Sequence, residues 1–117
     1  MLFKIRNLRL RTIIGIDDWE RTQKQEVIVN VKFKINTEKA IETDNIEHTI
    51  NYKNLNIKII DAVESSKFFL LEKLAAFILN KIMEDSKITW AKVTVDKPGS
   101  IRFAESVAVE CEAERKN

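Results

Sequence analysis

Residues 25–35 read QEVIVNVKFKI, and their period decides the fold. Val27, Val29, Val31, Phe33 and Ile35 fall on one side of an extended chain, with Glu26, Asn30, Lys32 and Lys34 mostly opposite. That two-residue repeat is the mark of a strand with one face buried. Upstream, residues 3–16 are also β-rich and end at IIGI, where Gly15 allows a bend or bulge. The two runs are predicted to pair antiparallel across the polar link DDWERTQK. At Thr37 the period changes, and TEKAIETDN reads as a capped single helical turn followed by a loop.

Helical spacing takes over downstream. From Tyr52 to about Ser65, Leu55, Ile59, Ile60 and Val63 share one helix face; from about Phe69 to Met83, Leu70, Leu71, Leu74, Phe77, Ile78 and Ile82 share another. The second helix is apolar around more than half its girth, which predicts cover on two sides, by its own sheet and by another subunit. The short link ESSK predicts that the helices run antiparallel on one face of the sheet. Residues 88–97 and 101 to about 113 return to period two, with Val93 and Val95, then Val107 and Val109, on either side of Pro98-Gly99.

The order is therefore ββααββ: an α+β fold in which a four-stranded antiparallel sheet carries two antiparallel helices on one face, as a single domain over residues 1–117. Such a sheet has two edge strands of ten or more residues, an aggregation hazard unless something covers them. Pairing subunits edge to edge into a closed ring removes both edges, so a homo-oligomer is expected.

Composition excludes several function classes. The chain has 117 residues, 20 Lys and Arg against 18 Asp and Glu, and a net charge of +2. Basic and acidic residues alternate, LRLR at Leu8 to Arg11 excepted, which argues against nucleic acid and membrane partners. The one cysteine, Cys111, lies in phase with Val107, Val109 and Ala113 and reads as core packing; it permits no internal disulfide and gives the chain a cytoplasmic look. With one histidine, His48, in a polar stretch that reads as loop or cap, the usual Cys and His metal-ligand sets are missing, and no metal is expected. No apolar run approaches the roughly 20 residues of a membrane span, and the amino terminus lacks a signal peptide's continuous apolar core. Phosphate-binding loops, dinucleotide fingerprints, GxSxG elbows and HExxH helices are also missing.

The remaining candidates are polar residues at strand and helix boundaries: Glu20 in DDWER, Tyr52 in INYKN, Glu72 in FLLEKL and Lys97 in VDKPG. Glu72 sits on a strongly apolar helix, where a partly buried carboxylate needs donor partners. A surface glutamate paired with a neighbouring lysine, or a carboxylate gripping two N–H donors of a ligand, would both satisfy it. Lys97 is open in the same way, as a solvated turn lysine or as a base held in place by the turn.

In order and spacing, IIGIDDWER, the NY before the first helix, the LLEKL opening the second and the KPG between the last strands resemble the dihydroneopterin aldolase family, from about Phe3 to Cys111. The resemblance implies the tunnelling fold, whose subunits join their sheets into a ring. It also implies a homo-octamer of two tetrameric rings, or a homotetramer, with active sites between subunits. The implied substrate is a pterin, with no metal or cofactor: a 7,8-dihydropterin undergoes retro-aldol cleavage to 6-hydroxymethyl-7,8-dihydropterin and glycolaldehyde, its own ring serving as electron sink.

Residue by residue, the resemblance makes Lys97 the catalytic lysine that moves protons. Tyr52, from a neighbouring subunit, stacks near the pterin and helps protonate the intermediate. Glu72, with the backbone of Leu71 beside it, grips the pterin's N–H and amino edge, and Glu20 holds the side-chain hydroxyls or the catalytic water. A lysine acts as a base near neutral pH when burial or a nearby cation favours its neutral form.

The resemblance divides between two branches. DDWER and KPG look like the aldolases, whereas NLRLRTIIGI and IRFAESV look more like the dihydroneopterin triphosphate 2′-epimerases. Aldolase is placed first, with epimerase as side activity or alternative. For an epimerase, Arg9, Arg11 and Arg102 are the cations suspected near a triphosphate, solvated strand arginines being their plainer reading. A non-catalytic ring protein that keeps the fold and binds pterin is the reading from another class.

Overall fold

In the computed structural model, which describes residues 1–116, QEVIVNVKFKI lies at the centre of the sheet. It forms β2 (Gln25–Ile35), flanked by β1 (Leu2–Thr12) and β3 (Ile88–Pro98), with β4 (Ser106–Glu114) outside β3. The strand order is β1-β2-β3-β4 and every neighbouring pair is antiparallel. Val27, Val29 and Phe33 are wholly buried, and Phe3 of β1 stacks on Phe33 at 4.9 Å between ring centroids. Truncating a side chain buried like Phe33 costs about 3–5 kcal/mol.

β1 stays in register with this core through a one-residue correction. Its apolar positions, Phe3, Ile5, Leu8 and Leu10, skip a beat after Ile5, and the ladder shifts between Ile5↔Val31 and Leu8↔Val29. Asn7 absorbs the extra residue at φ 54, a left-handed conformation that asparagine tolerates, and its N–H donates to Asn30 Oδ1 at 2.9 Å. Both halves of the strand thus present apolar side chains to the core.

Two strand boundaries differ from expectation. β1 ends at Thr12, short of residue 16, because Gly15 turns the chain at φ 122 and Asp18–Arg21 wind into a 3₁₀ turn. β4 begins at Ser106, not at residue 101. Pro98↔Ser106 is the last pair of the ladder, Gly99 turns at φ 69, and its N–H closes the loop on the Glu105 carbonyl at 3.2 Å.

The two long helices cover one face. The short α1 (Glu38–Thr43) is not capped by the Thr37 side chain as expected; Asn36 Oδ1 accepts from the Glu38 N–H instead. In α2 (Tyr52–Glu64), Asn51 caps the start by accepting from the N–H groups of Lys53 and Asn54, and Leu55, Ile59 and Val63 are buried. α3 (Leu71–Met83) starts two residues later than about Phe69, since Leu70 is still extended, and buries Leu74, Ala75, Ile78, Leu79 and Ile82. α2 packs over β1 and α3 over β3 and β4. Cys111 packs at the margin of this core, and His48 sits in a 3₁₀ turn, its Nδ1 hydrogen-bonded to Thr43 Oγ1 at 2.7 Å. Among the described residues, no helix is long and apolar enough to cross a membrane.

Candidate functional site

The alternation that buries Val93 and Val95 also sends Lys97 inward. It is the next residue on that face of β3, beyond the last buried valine. Its side chain is only 13% exposed, and Nζ donates to Glu20 Oε2 at 2.5 Å. A solvated turn lysine is excluded by this placement. Glu20 is equally enclosed, with 7% of its side chain exposed.

Four neighbours position the Glu20 carboxylate. Oε2 also accepts from Gln25 Nε2 at 2.9 Å, and that amide donates in turn to the Ile14 carbonyl at 2.7 Å. Oε1 accepts from the Asp17 N–H at 3.2 Å, closing the 3₁₀ turn on itself. Gly15 supplies the space: a Cβ there would lie 2.2 Å from Glu20 Cδ. The Lys97 hydrogen bond is the main cause that holds the Glu20 carboxyl down at about 2; burial pushes the other way, and the Gln25 and Asp17 donors add to the lowering. Glu20 is therefore a fixed anion, with a lysine as its principal donor.

Arg21 ties this turn to the start of α3. Its guanidinium donates to the carbonyls of Gly15, Lys67 and Phe68, and lies 3.9 Å from the centre of the Phe69 ring. Leu71 and Glu72 therefore open α3 at the same end of the sheet as Glu20. Leu71 is half-buried against the core, but Glu72 is exposed within the protomer, contrary to the partly buried carboxylate expected. It thus has the surface position of the plainer reading, but among the described residues it makes no ion pair with a lysine.

Tyr52 lies elsewhere. It begins α2, 56% exposed, beside Lys4 to Arg9 of β1, whereas the far end of α2 leads to Ser66, whose carbonyl accepts from Thr12 Oγ1. With 1.5 Å of rise per residue, roughly 20 Å of helix separates Tyr52 from the end that carries Glu20. One protomer brings Lys97 and Glu20 together, sets Glu72 and Leu71 at the same end, and leaves Tyr52 at the other. Of the suspected arginines, Arg9 pairs with Glu26 at 3.1 Å, Arg11 donates to the Lys24 carbonyl, and Arg102 lies over the Phe103 ring in the loop after β3.

Gln25 and Arg21 are not among the sequence candidates, and Gly15 is read there only as a bend or bulge, not as part of the site. Gly15 carried a signal, as one of two glycines and inside an apolar run. Gln25 becomes meaningful only through the register that sets it opposite Thr12.

The fold and its enclosed ion pair define an α+β domain with a lysine–carboxylate pair at the open end of its sheet. The sequence profile of dihydroneopterin aldolase matches residues 3–112, and the chain belongs to that family. It is 42% identical to a dihydroneopterin triphosphate 2′-epimerase of Pseudomonas aeruginosa, over 91% of this chain and 86% of the relative. It is 30% identical to a dihydroneopterin aldolase of Haemophilus influenzae, over 90% and 89%. The solved structure of Escherichia coli dihydroneopterin aldolase in complex with neopterin superposes with a TM-score of 0.91 at 25% identity, covering 97% of this chain and 98% of that one.

Proposed function

We propose that this protein makes and breaks the C1′–C2′ bond of a 7,8-dihydropterin side chain, with 2′-epimerisation of dihydroneopterin triphosphate as its main outcome. The observation that carries the reaction is the Lys97–Glu20 pair, a proton donor and an anion 2.5 Å apart and largely shielded from water. Removal of the 2′-hydroxyl proton lets the C1′–C2′ bond break, leaving an aldehyde at C2′. The electron pair at C1′ delocalises into the ring imine at N5. Lys97 moves the proton, Glu20 orients the hydroxyls or the water that relays it, and Glu72 with the Leu71 backbone holds the pterin edge. Tyr52 comes from a neighbouring subunit, which the length of α2 supports, and the assembly is a ring of four subunits or a pair of such rings.

If the aldehyde stays, rotates and is attacked on its other face by C1′, the same bond re-forms with inverted C2′. No atom is gained or lost. If the aldehyde leaves and C1′ is protonated, the outcome is cleavage. Aldolase cleavage, which DDWER and KPG put first, becomes the second reading because the epimerase relative is 42% identical and the aldolase relative 30%.

Incubating the protein with dihydroneopterin and with its triphosphate, and measuring 2′-epimer against released aldehyde, tests the order. Epimer exceeding aldehyde from the triphosphate is the expected result. Aldehyde in excess from dihydroneopterin makes the protein an aldolase. Neither product from either substrate, with thermal stabilisation by neopterin, identifies a non-catalytic pterin-binding ring.

A further inference from the structure

Between β1 and the start of α2 runs a groove of about 400 Å³. Lys4, Arg6 and Arg9 line it from β1 and Lys53 lines it from α2, with Tyr52 beside them and no Asp or Glu in its walls. Within the protomer all four cations are exposed, and among the described residues Lys4, Arg6 and Lys53 enter no ion pair. Arg9 shares one guanidinium nitrogen with Glu26 in an exposed pair, which is weak in water. Four cations around one groove repel one another, so the arrangement favours a multiply charged anion, whose oxygens accept charge-assisted hydrogen bonds from each.

We propose that this groove is the subsite for the triphosphate of the substrate. The proposal rests on the reading given above, in which Tyr52 of one subunit reaches the pterin held by Lys97, Glu20 and Glu72 of the next. Tyr52 stands in the wall of the groove, so a side chain that passes this tyrosine delivers its phosphates among the four cations. The cations, not the helix terminus, do the binding, because Asn51 Oδ1 already accepts the N–H groups of Lys53 and Asn54. Of the arginines suspected from sequence, only Arg9 belongs to this subsite.

The rival role is structural. Cations on an edge strand deter aberrant pairing, and β4, the opposite edge, carries Glu110, Glu112 and Glu114, which a second copy would bring toward them. Lys53 argues against that role, since it comes from a helix and does not share the outer face of the sheet.

Calorimetric titration with inorganic tripolyphosphate tests the subsite without turnover. The wild type is expected to bind one tripolyphosphate per subunit, more weakly as salt rises. Arg6→Gln and Lys53→Gln should each weaken binding about tenfold, Lys53→Arg should keep most of it, and Lys39→Gln on α1 should leave it unchanged. The same two glutamine variants should lower the ratio of kcat/KM for the triphosphate over that for dihydroneopterin by about tenfold. No binding, or equal binding by all variants, overturns the subsite, as does a change of assembly size in the variants with binding intact. Tripolyphosphate binding without turnover of either pterin defeats the proposed reaction and leaves the subsite standing. Turnover of both pterins at a ratio the variants do not move defeats the subsite alone.

Discussion

Lys97 and Glu20, 77 positions apart in the chain, meet as an ion pair with Nζ 2.5 Å from Oε2. Glu20 has further donors in Gln25 and the Asp17 N–H, whereas among the described residues Glu20 is the one partner of Lys97 Nζ. Enclosing two opposite charges costs desolvation that their attraction repays only in part, so an apolar pair of similar size would serve stability as well or better. A pair kept at the open end of the sheet, where β3 leaves the core, fits chemistry better than scaffolding.

That asymmetry separates catalysis from stability. Lys97→Ala should lower kcat by about 10²–10⁴ with a small change in KM, the range for losing a positioned proton carrier. Glu20→Ala leaves the lysine enclosed and unpaired and should cost about 3 kcal/mol in urea unfolding. The double variant Lys97→Met, Glu20→Leu should regain that stability and stay inactive. A double variant no more stable than Glu20→Ala would show that the pair is scaffolding after all.

The pair also sets an acid limit. The Glu20 carboxyl is held at about 2 in the folded protein against an ordinary 4.5, so its contribution to stability is complete above pH 4.5 and is lost as pH falls toward 2. Between those values the urea midpoint of the wild type should fall more steeply than that of Glu20→Gln. Glu84 and Glu110, also lowered by neighbouring lysines or hydroxyls, remain in both proteins and cancel in the comparison. Parallel pH profiles would show that Glu20 is no better stabilised folded than unfolded.

Gly15 should be as sensitive as the pair it serves. At φ 122 and with Glu20 Cδ 2.2 Å from any added Cβ, Gly15→Ala must displace either the chain or the carboxylate. The expected result is a loss of about 2 kcal/mol in stability, the scale of a strained backbone position. A fall in kcat should accompany it, although the residue touches no substrate. Wild-type kcat in this variant would mean that Glu20 can move without consequence.

In the proposed reaction Glu72 binds and does not react. Exposed in the first turn of α3 and without an ion partner among the described residues, it is open to a ligand's paired N–H donors. Glu72→Ala should raise KM and the neopterin dissociation constant at least tenfold with a smaller effect on kcat. Equal effects on binding and rate would remove it from the pterin edge.

The architecture was legible because its signals are local. The period of QEVIVNVKFKI, the four-residue spacing of Leu55, Ile59 and Val63, and the break at Pro98-Gly99 each report burial within one element. Boundaries at residues 13–16 and 101–105 were misread since their residues suit a strand well, and what ends pairing there is glycine at positive φ. Within the site, the inward turn of Lys97 was implicit in the Val93, Val95 alternation. Its pairing with Glu20 was not, because it depends on where the chain lands 77 residues later. The exposure of Glu72 was obscured by apolar neighbours that face other elements.

Tyr52 allows the sharpest test of a shared site. Roughly 20 Å of helix keeps it from Lys97 within one protomer, so the proposed site takes Lys97 from one subunit and Tyr52 from the next. Lys97→Ala and Tyr52→Ala homo-oligomers should each be nearly inactive. Unfolding and refolding them together as an equal mixture produces seams at which a subunit with intact Lys97 meets one with intact Tyr52. On random assembly about a quarter of the seams carry both native residues, and activity should recover toward about a quarter of wild type, while each variant refolded alone stays inactive. If the mixture shows no more activity than its components, both residues act within one subunit or Tyr52 takes no part in the site.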